Sequence, residues 1–147
     1  MSAITEALAR ATSEVLEEAA YVFCCPTDEP PPFQHGLVQL RVPFHGPMQG
    51  EVVVTGPRAV LRDAAEHATW TPRRRETNEQ LTALAEMIAR TFVVSRWGAD
   101  EPVRLETPLA KTIDPTTYAR RRGRPASLVT DDGVRIDVEV SALAGTR

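Results

Sequence analysis

The stretch from Thr77 to Phe92 constrains this chain most. Leu81, Leu84, Ala85, Ile88 and Phe92 recur at three- and four-residue spacing, which puts them on one face of a helix. At about 100° per residue, Glu79, Ala83, Glu86 and Arg90 fall on the opposite face. Thr77 is placed to cap the first turn, and Gln80, three residues on, completes a capping box. The pattern predicts a helix running to Arg96 or Trp97, with Gly98 as its stop. A helix of this kind buries one side and wets the other. The rest of the chain has to supply a surface for the buried side, and any chemistry has to come from the outer face or the ends.

The flanking segments supply that surface. Residues 3–22 read as an amphipathic helix with Ile4, Leu8, Ala11, Val15, Ala19 and Val22 as its stripe. Pro26 and the run Pro30, Pro31, Pro32 end it in a stiff, extended connector; a ligand for a proline-recognising domain is the alternative. Val38, Leu40 and Val42 alternate with Gln39 and Arg41, the period of a half-buried strand over 37–42. A loop over 43–50 leads to a second strand, Glu51 to Thr55. Pro57 then opens a short helix reaching about Thr69. Residues 71–75 form a polar connector. A short strand is expected over 102–106, ended by Thr107 and Pro108, and 111–125 is the least structured stretch. A hairpin closes the chain, with arms at 126–130 and 134–140 around the tight-turn pair Asp132 and Gly133. Hairpins imply antiparallel pairing and the helices can cover the sheet, so the expected fold class is α+β. The expected organisation is one domain over residues 1–147.

Composition narrows the function. The chain has 147 residues, a formal charge of −3 and a pI near 5.6, which speaks against general nucleic-acid binding. Glu6, Arg10, Glu14, Glu17 and Glu18 make the first twenty residues unlike a secretory leader. No apolar run reaches the roughly 18 residues that a membrane span needs. A cytoplasmic location is the expectation, with reduced thiols at Cys24 and Cys25, at the end of the first helix. His35 and His45 stand at no zinc-ligand spacing. There is no P-loop, no GxGxxG and no GxSxG. No cofactor and no metal is expected.

Four stretches, taken in order, carry a resemblance. They are the opening helix from Ile4 to Phe23; Gly50-Glu51-Val52-Val53-Val54 with the helix after it; Glu86-Met87-Ile88-Ala89-Arg90 followed by Leu105-Glu106-Thr107-Pro108; and the closing hairpin from Asp132 to Val140. Together they cover nearly the whole chain, which resembles the CheX/CheC family of chemotaxis phosphatases and is nearer to CheX. The resemblance implies a CheX-like fold, a response-regulator receiver domain as partner, and a homodimer. It also implies an activity, removal of phosphate from the receiver's phospho-aspartate, with a Glu-x-x-Asn signature on an exposed helix face. That chemistry is mostly positioning: an amide orients the in-line water, and the Glu fixes the docking pose.

This sequence departs from the signature. The family's Asn-Met-Ile-Ala-Gly run falls on Glu86 to Arg90, so Ala83 stands at the glutamate position, Glu86 at the asparagine position and Arg90 at the glycine. The one asparagine, Asn78, has Arg75 three residues before it, so Glu-x-x-Asn occurs nowhere. The expectation is a non-catalytic interaction module that meets its partner through Ala83, Glu86 and Arg90. Two substitute pairs keep a phosphatase reading open: Glu79 with Thr82, and Glu76 with Gln80. A third reading is an anion- or nucleotide-binding module built on Arg73, Arg74, Arg75, Arg120, Arg121, Arg122 and Arg124. Trp70 and Trp97 flank the central helix and are expected to lid the core.

Overall fold

The computed structural model describes residues 2–34, 36–69, 77–120 and 123–141. Within them the chain forms α1 (Ala3–Ala20), β1 (Cys24–Thr27), β2 (Leu37–His45), β3 (Gln49–Pro57), α2 (Arg58–Ala68), α3 (Thr77–Trp97), β4 (Arg104–Leu105), β5 (Leu109–Ile113), α4 (Pro115–Ala119), β6 (Ala126–Thr130) and β7 (Arg135–Ser141). The strands make one antiparallel sheet in the order β1-β6-β7-β3-β2, with β4 and β5 both lying beside β2. The α+β class expected from the sequence is what the chain adopts.

Helix α1 starts where Ser2 accepts a hydrogen bond from the Thr5 N–H at 3.2 Å. It stops earlier than its proline signals predict. Tyr21 turns left-handed with φ of 56°, and the Val22 N–H donates to the Leu16 carbonyl at 2.9 Å, satisfying a helix-end acceptor. The chain is then extended, and Cys24 to Thr27 pair with Thr130 to Ser127 of β6. This corrects the expected connector: the free cysteines sit on an edge strand rather than at a helix end. Pro26 is tolerated there because one side of an edge strand needs no ladder partner.

Strands β2 and β3 are longer than their alternation suggested, and the expected loop over 43–50 shrinks to 46–48. Pro43 caused the shorter expectation. Its carbonyl accepts from the Glu106 N–H at 2.9 Å, so its missing N–H faces the same side, in the gap between the β5 pairing (37–41) and the β4 pairing (44–45). The stretch over 111–125 is also more ordered than expected. It begins in β5, paired with β2, and continues into α4, where the Asp114 carboxylate caps the Thr116 and Thr117 N–H groups at 3.1 and 3.2 Å. The expected strand over 102–106 is reduced to Arg104–Leu105.

The three longer helices cover one face of the sheet. Leu8, Val15 and Leu16 of α1, Leu61 and Ala64 of α2, and Leu81, Leu84, Ala85, Ile88 and Phe92 of α3 share one core with Val38, Leu40, Val42 and Phe44 of β2, Val54 of β3 and Ile136 and Val138 of β7. At the far end of α3, Phe44, Phe92 and Trp97 form an aromatic cluster with centroids 5.7 to 5.9 Å apart. Trp97 therefore lids the core as expected; Trp70 lies outside the described residues. Gly98 follows with φ of 91°, the left-handed conformation a helix stop uses.

The opposite face of the sheet is polar but not bare. Gln39 donates to the Thr55 hydroxyl at 3.1 Å, and Arg41 donates to Gln39 at 2.8 Å and bonds Glu51. Asp137 is 1% exposed and accepts from Arg135, Ser127 and the Tyr118 hydroxyl at 2.7 to 2.9 Å. The Arg135 guanidinium lies 4.3 Å over the Phe33 ring, whose edge meets Tyr118 at 5.6 Å. The proline-rich segment and α4 are thereby strapped across this face.

Candidate functional site

Helix α3 presents its outer stripe from a fixed base. Leu81, Leu84, Ile88 and Phe92 are completely buried, so the helix cannot roll, and Glu79, Ala83, Glu86 and Arg90 are held on the other side. Glu79 and Arg90 are exposed; Ala83 and Glu86 are half-buried. Ala83 is a methyl group, with nothing to hold a charged partner.

Glu86 is not a free carboxylate. Arg90 donates to its Oε1 from Nη2 at 2.6 Å and from Nε at 3.1 Å. The Glu86 and Arg90 side chains are 41% and 67% exposed, so the pair is a wet i,i+4 bridge with no net charge of its own. On the register expected from the sequence, the position that would carry an amide holds a paired acid.

The substitute pairs are placed differently. Glu79 and Thr82 stand one turn nearer the start of the helix. The Thr82 hydroxyl donates to the Glu79 backbone carbonyl at 3.0 Å, which ties it to its own helix rather than to a water in front of it. Gln80 is half-buried at the first turn, whereas Glu76 lies outside the described residues, as does the Thr77 side chain of the expected capping box. Of the arginine clusters, Arg73, Arg74, Arg75, Arg121 and Arg122 lie outside the described residues. Arg120 is exposed at the end of α4, and exposed Arg124 lines a groove with Asp28, Ser127 and Arg135 that includes no α3 residue.

Two clusters escaped the sequence reading. The first is the Arg135 and Asp137 pair, whose i,i+2 spacing on one strand face was its only signal. The Asp137 hydrogen bond, with the carboxylate charge behind it, raises the Arg135 pKa, and partial burial opposes this. The second is an exposed aromatic pair, Tyr21 and Phe23, which no periodicity marks.

No family model matches the chain, and neither does any curated protein. Solved structures do match. CheX in a CheX-CheY-BeF3-Mg2+ complex from Borrelia burgdorferi superposes with a TM-score of 0.61 at 16% identity, covering 92% of this chain and 95% of that one. The chemotaxis protein CheX from Vibrio vulnificus gives 0.63 at 14% identity, over 95% and 96%. A CheC-like superfamily protein from Shewanella sp. PV-4 gives 0.65 at 13% identity, over 96% and 98%. The chain has the fold of the CheX and CheC-like chemotaxis proteins. Among the described residues no helix is long and apolar enough to cross a membrane.

Proposed function

We propose that this chain is a chemotaxis-type signalling domain that binds a response-regulator receiver through the outer face of α3 without hydrolysing its phospho-aspartate. The observation that carries the reading is the state of Glu86: an acid, held by two hydrogen bonds from Arg90, where the related enzymes place a water-orienting amide. An ionised carboxylate only accepts hydrogen bonds and this one is already held by Arg90, so it does not orient a water as an amide does, and Ala83 removes the salt bridge that would fix the pose. The fold supports a receiver as partner, since one of the similar structures is of CheX with CheY.

The test uses a receiver domain from the same genome, activated with beryllofluoride for binding and phosphorylated for decay. The expected result is saturable binding that Arg90→Glu weakens, with the phosphoryl lifetime unchanged by added protein. Faster decay that Glu79→Ala and Thr82→Ala abolish would replace this reading with the phosphatase one. Failure to bind any receiver would remove both. A homodimer belongs to the same reading. Strand β5 supports it, since its outer edge has no strand partner among the described residues. Sedimentation of a single monomeric species across micromolar concentrations would exclude it.

A further inference from the structure

Away from α3, the end of α1, one side of α2 and the β6–β7 turn enclose a groove of about 370 Å³. No α3 residue lines it. Tyr21 and Phe23 stand at its edge, 76% and 49% exposed, and they are the large exposed aromatics among the described residues. The Asp131 N–H donates to the Phe23 carbonyl at 3.1 Å, which pins the aromatic segment beside the turn. Val60 and Val134, both half-buried, contribute apolar floor.

The rim carries one sign of charge. Asp63 from α2 and Asp131 and Asp132 from the turn all line the groove, and none has an ion-pair partner among the described residues. The other titratable side chain there, besides Tyr21, is His67, whose Nδ1 is engaged at 2.9 Å with the Asp63 carbonyl. The groove therefore couples exposed aromatic rings to unpaired carboxylates over an apolar floor.

We propose that this groove docks an arginine-bearing segment of another protein. The complementary group must be cationic, flat enough to lie on an aromatic ring and forked enough to meet a carboxylate. A guanidinium does all three, whereas an ammonium supplies charge and donors without the flat, forked geometry. An apolar side chain next to the arginine fills the space between Tyr21 and Val60.

The probe is a fluorescein-labelled peptide of alternating Arg and Leu, compared with the same peptide carrying Lys for Arg. Binding is read by anisotropy at physiological salt, and the site by backbone amide shifts. The Arg peptide is expected to bind about tenfold tighter than the Lys peptide and to shift the amides of Phe23, Asp63 and Asp132. Tyr21→Ser and the double variant Asp131→Asn with Asp132→Asn each weaken binding by about tenfold; Asn keeps the turn, and an unchanged thermal midpoint verifies the fold. Asp100→Asn, which removes an exposed acid outside the groove, leaves binding unchanged. Equal affinity for both peptides, equal loss on Asp100→Asn, or no binding at all overturns the proposal.

Discussion

Rebuilding the missing pair tests the reading of α3 most directly. In Ala83→Glu with Glu86→Asn, the helix would carry Glu-x-x-Asn at the register of the resemblance. The structure bounds the cost. Losing the Glu86 to Arg90 bridge, exposed on both sides, costs about 0.3–0.5 kcal/mol. Asn for Glu in a helix interior costs roughly another 0.5 kcal/mol, and Glu for Ala a few tenths. The total of about 1–1.5 kcal/mol lowers the melting midpoint by roughly 3–6 °C. That leaves the fold intact, because none of the completely buried residues of α3 is touched. The gain is kinetic. An amide and a carboxylate positioned against the acyl phosphate are expected to speed receiver dephosphorylation by about 10²-fold, the size of effect that positioning to within about an ångström supplies. The assay is loss of radiolabelled phosphoryl from the receiver, with receiver binding measured in parallel. If the double variant folds and still binds but decay changes by less than about 2-fold, positions 83 and 86 do not face the phosphoryl group and the register is wrong.

Three further outcomes are expected. Asp137→Ala strips the carboxylate from Arg135, Ser127 and Tyr118 in a buried setting, so it should cost about 3–5 kcal/mol in urea unfolding; a loss below about 1 kcal/mol would refute the role of this cluster. Gly50→Ala would put a methyl 2.9 Å from Phe44 Cζ and 3.1 Å from the Ser141 carbonyl, and should destabilise by about 1–3 kcal/mol on the same measurement. Burial pushes the Cys24 thiol pKa up, against the hydrogen bond with Ser13, so at pH 8 iodoacetamide should modify exposed Cys25 first. The folded-state value is the higher one, so the contribution to stability is complete below the usual thiol range. It is lost as pH rises through the folded value, an effect Cys24→Ser should remove.

The sequence was most legible where burial follows a period. The inner face of α3 and the alternation of Val134, Ile136, Val138 and Val140 can be read directly, because each element puts its apolar residues on one side only. Strands β1 and β5 could not be read that way. Each lies on an edge and buries little, so its identity comes from pairing with Ser127–Thr130 or with Leu37–Arg41, segments far away in the chain. Alternation within 134–140 puts Asp137 on the face opposite Ile136 but cannot tell that Tyr118, Ser127 and Arg135 enclose it there. At the candidate site, the i,i+4 spacing of Glu86 and Arg90 is by itself enough to imply their bridge, whereas the meaning of Ala83 came only through the resemblance. The groove was invisible because it joins α1's exit, α2 and a turn that share no local pattern.

The two proposed surfaces differ in what could link them. Helices α1 and α2 both pack on α3 and both reach the groove, so they are the physical route between the sites. Any coupling would have to pass through Leu16, Leu61 and Ala64, which are almost wholly buried, and a close-packed core resists continuous deformation. A receiver on α3 and an arginine-bearing segment in the groove should therefore bind additively, with a double-variant energy equal to the sum of the singles within about 0.5 kcal/mol. Additive binding at two independent surfaces is what an adaptor requires. It would also give a use to a domain of this fold whose sequence contains no Glu-x-x-Asn.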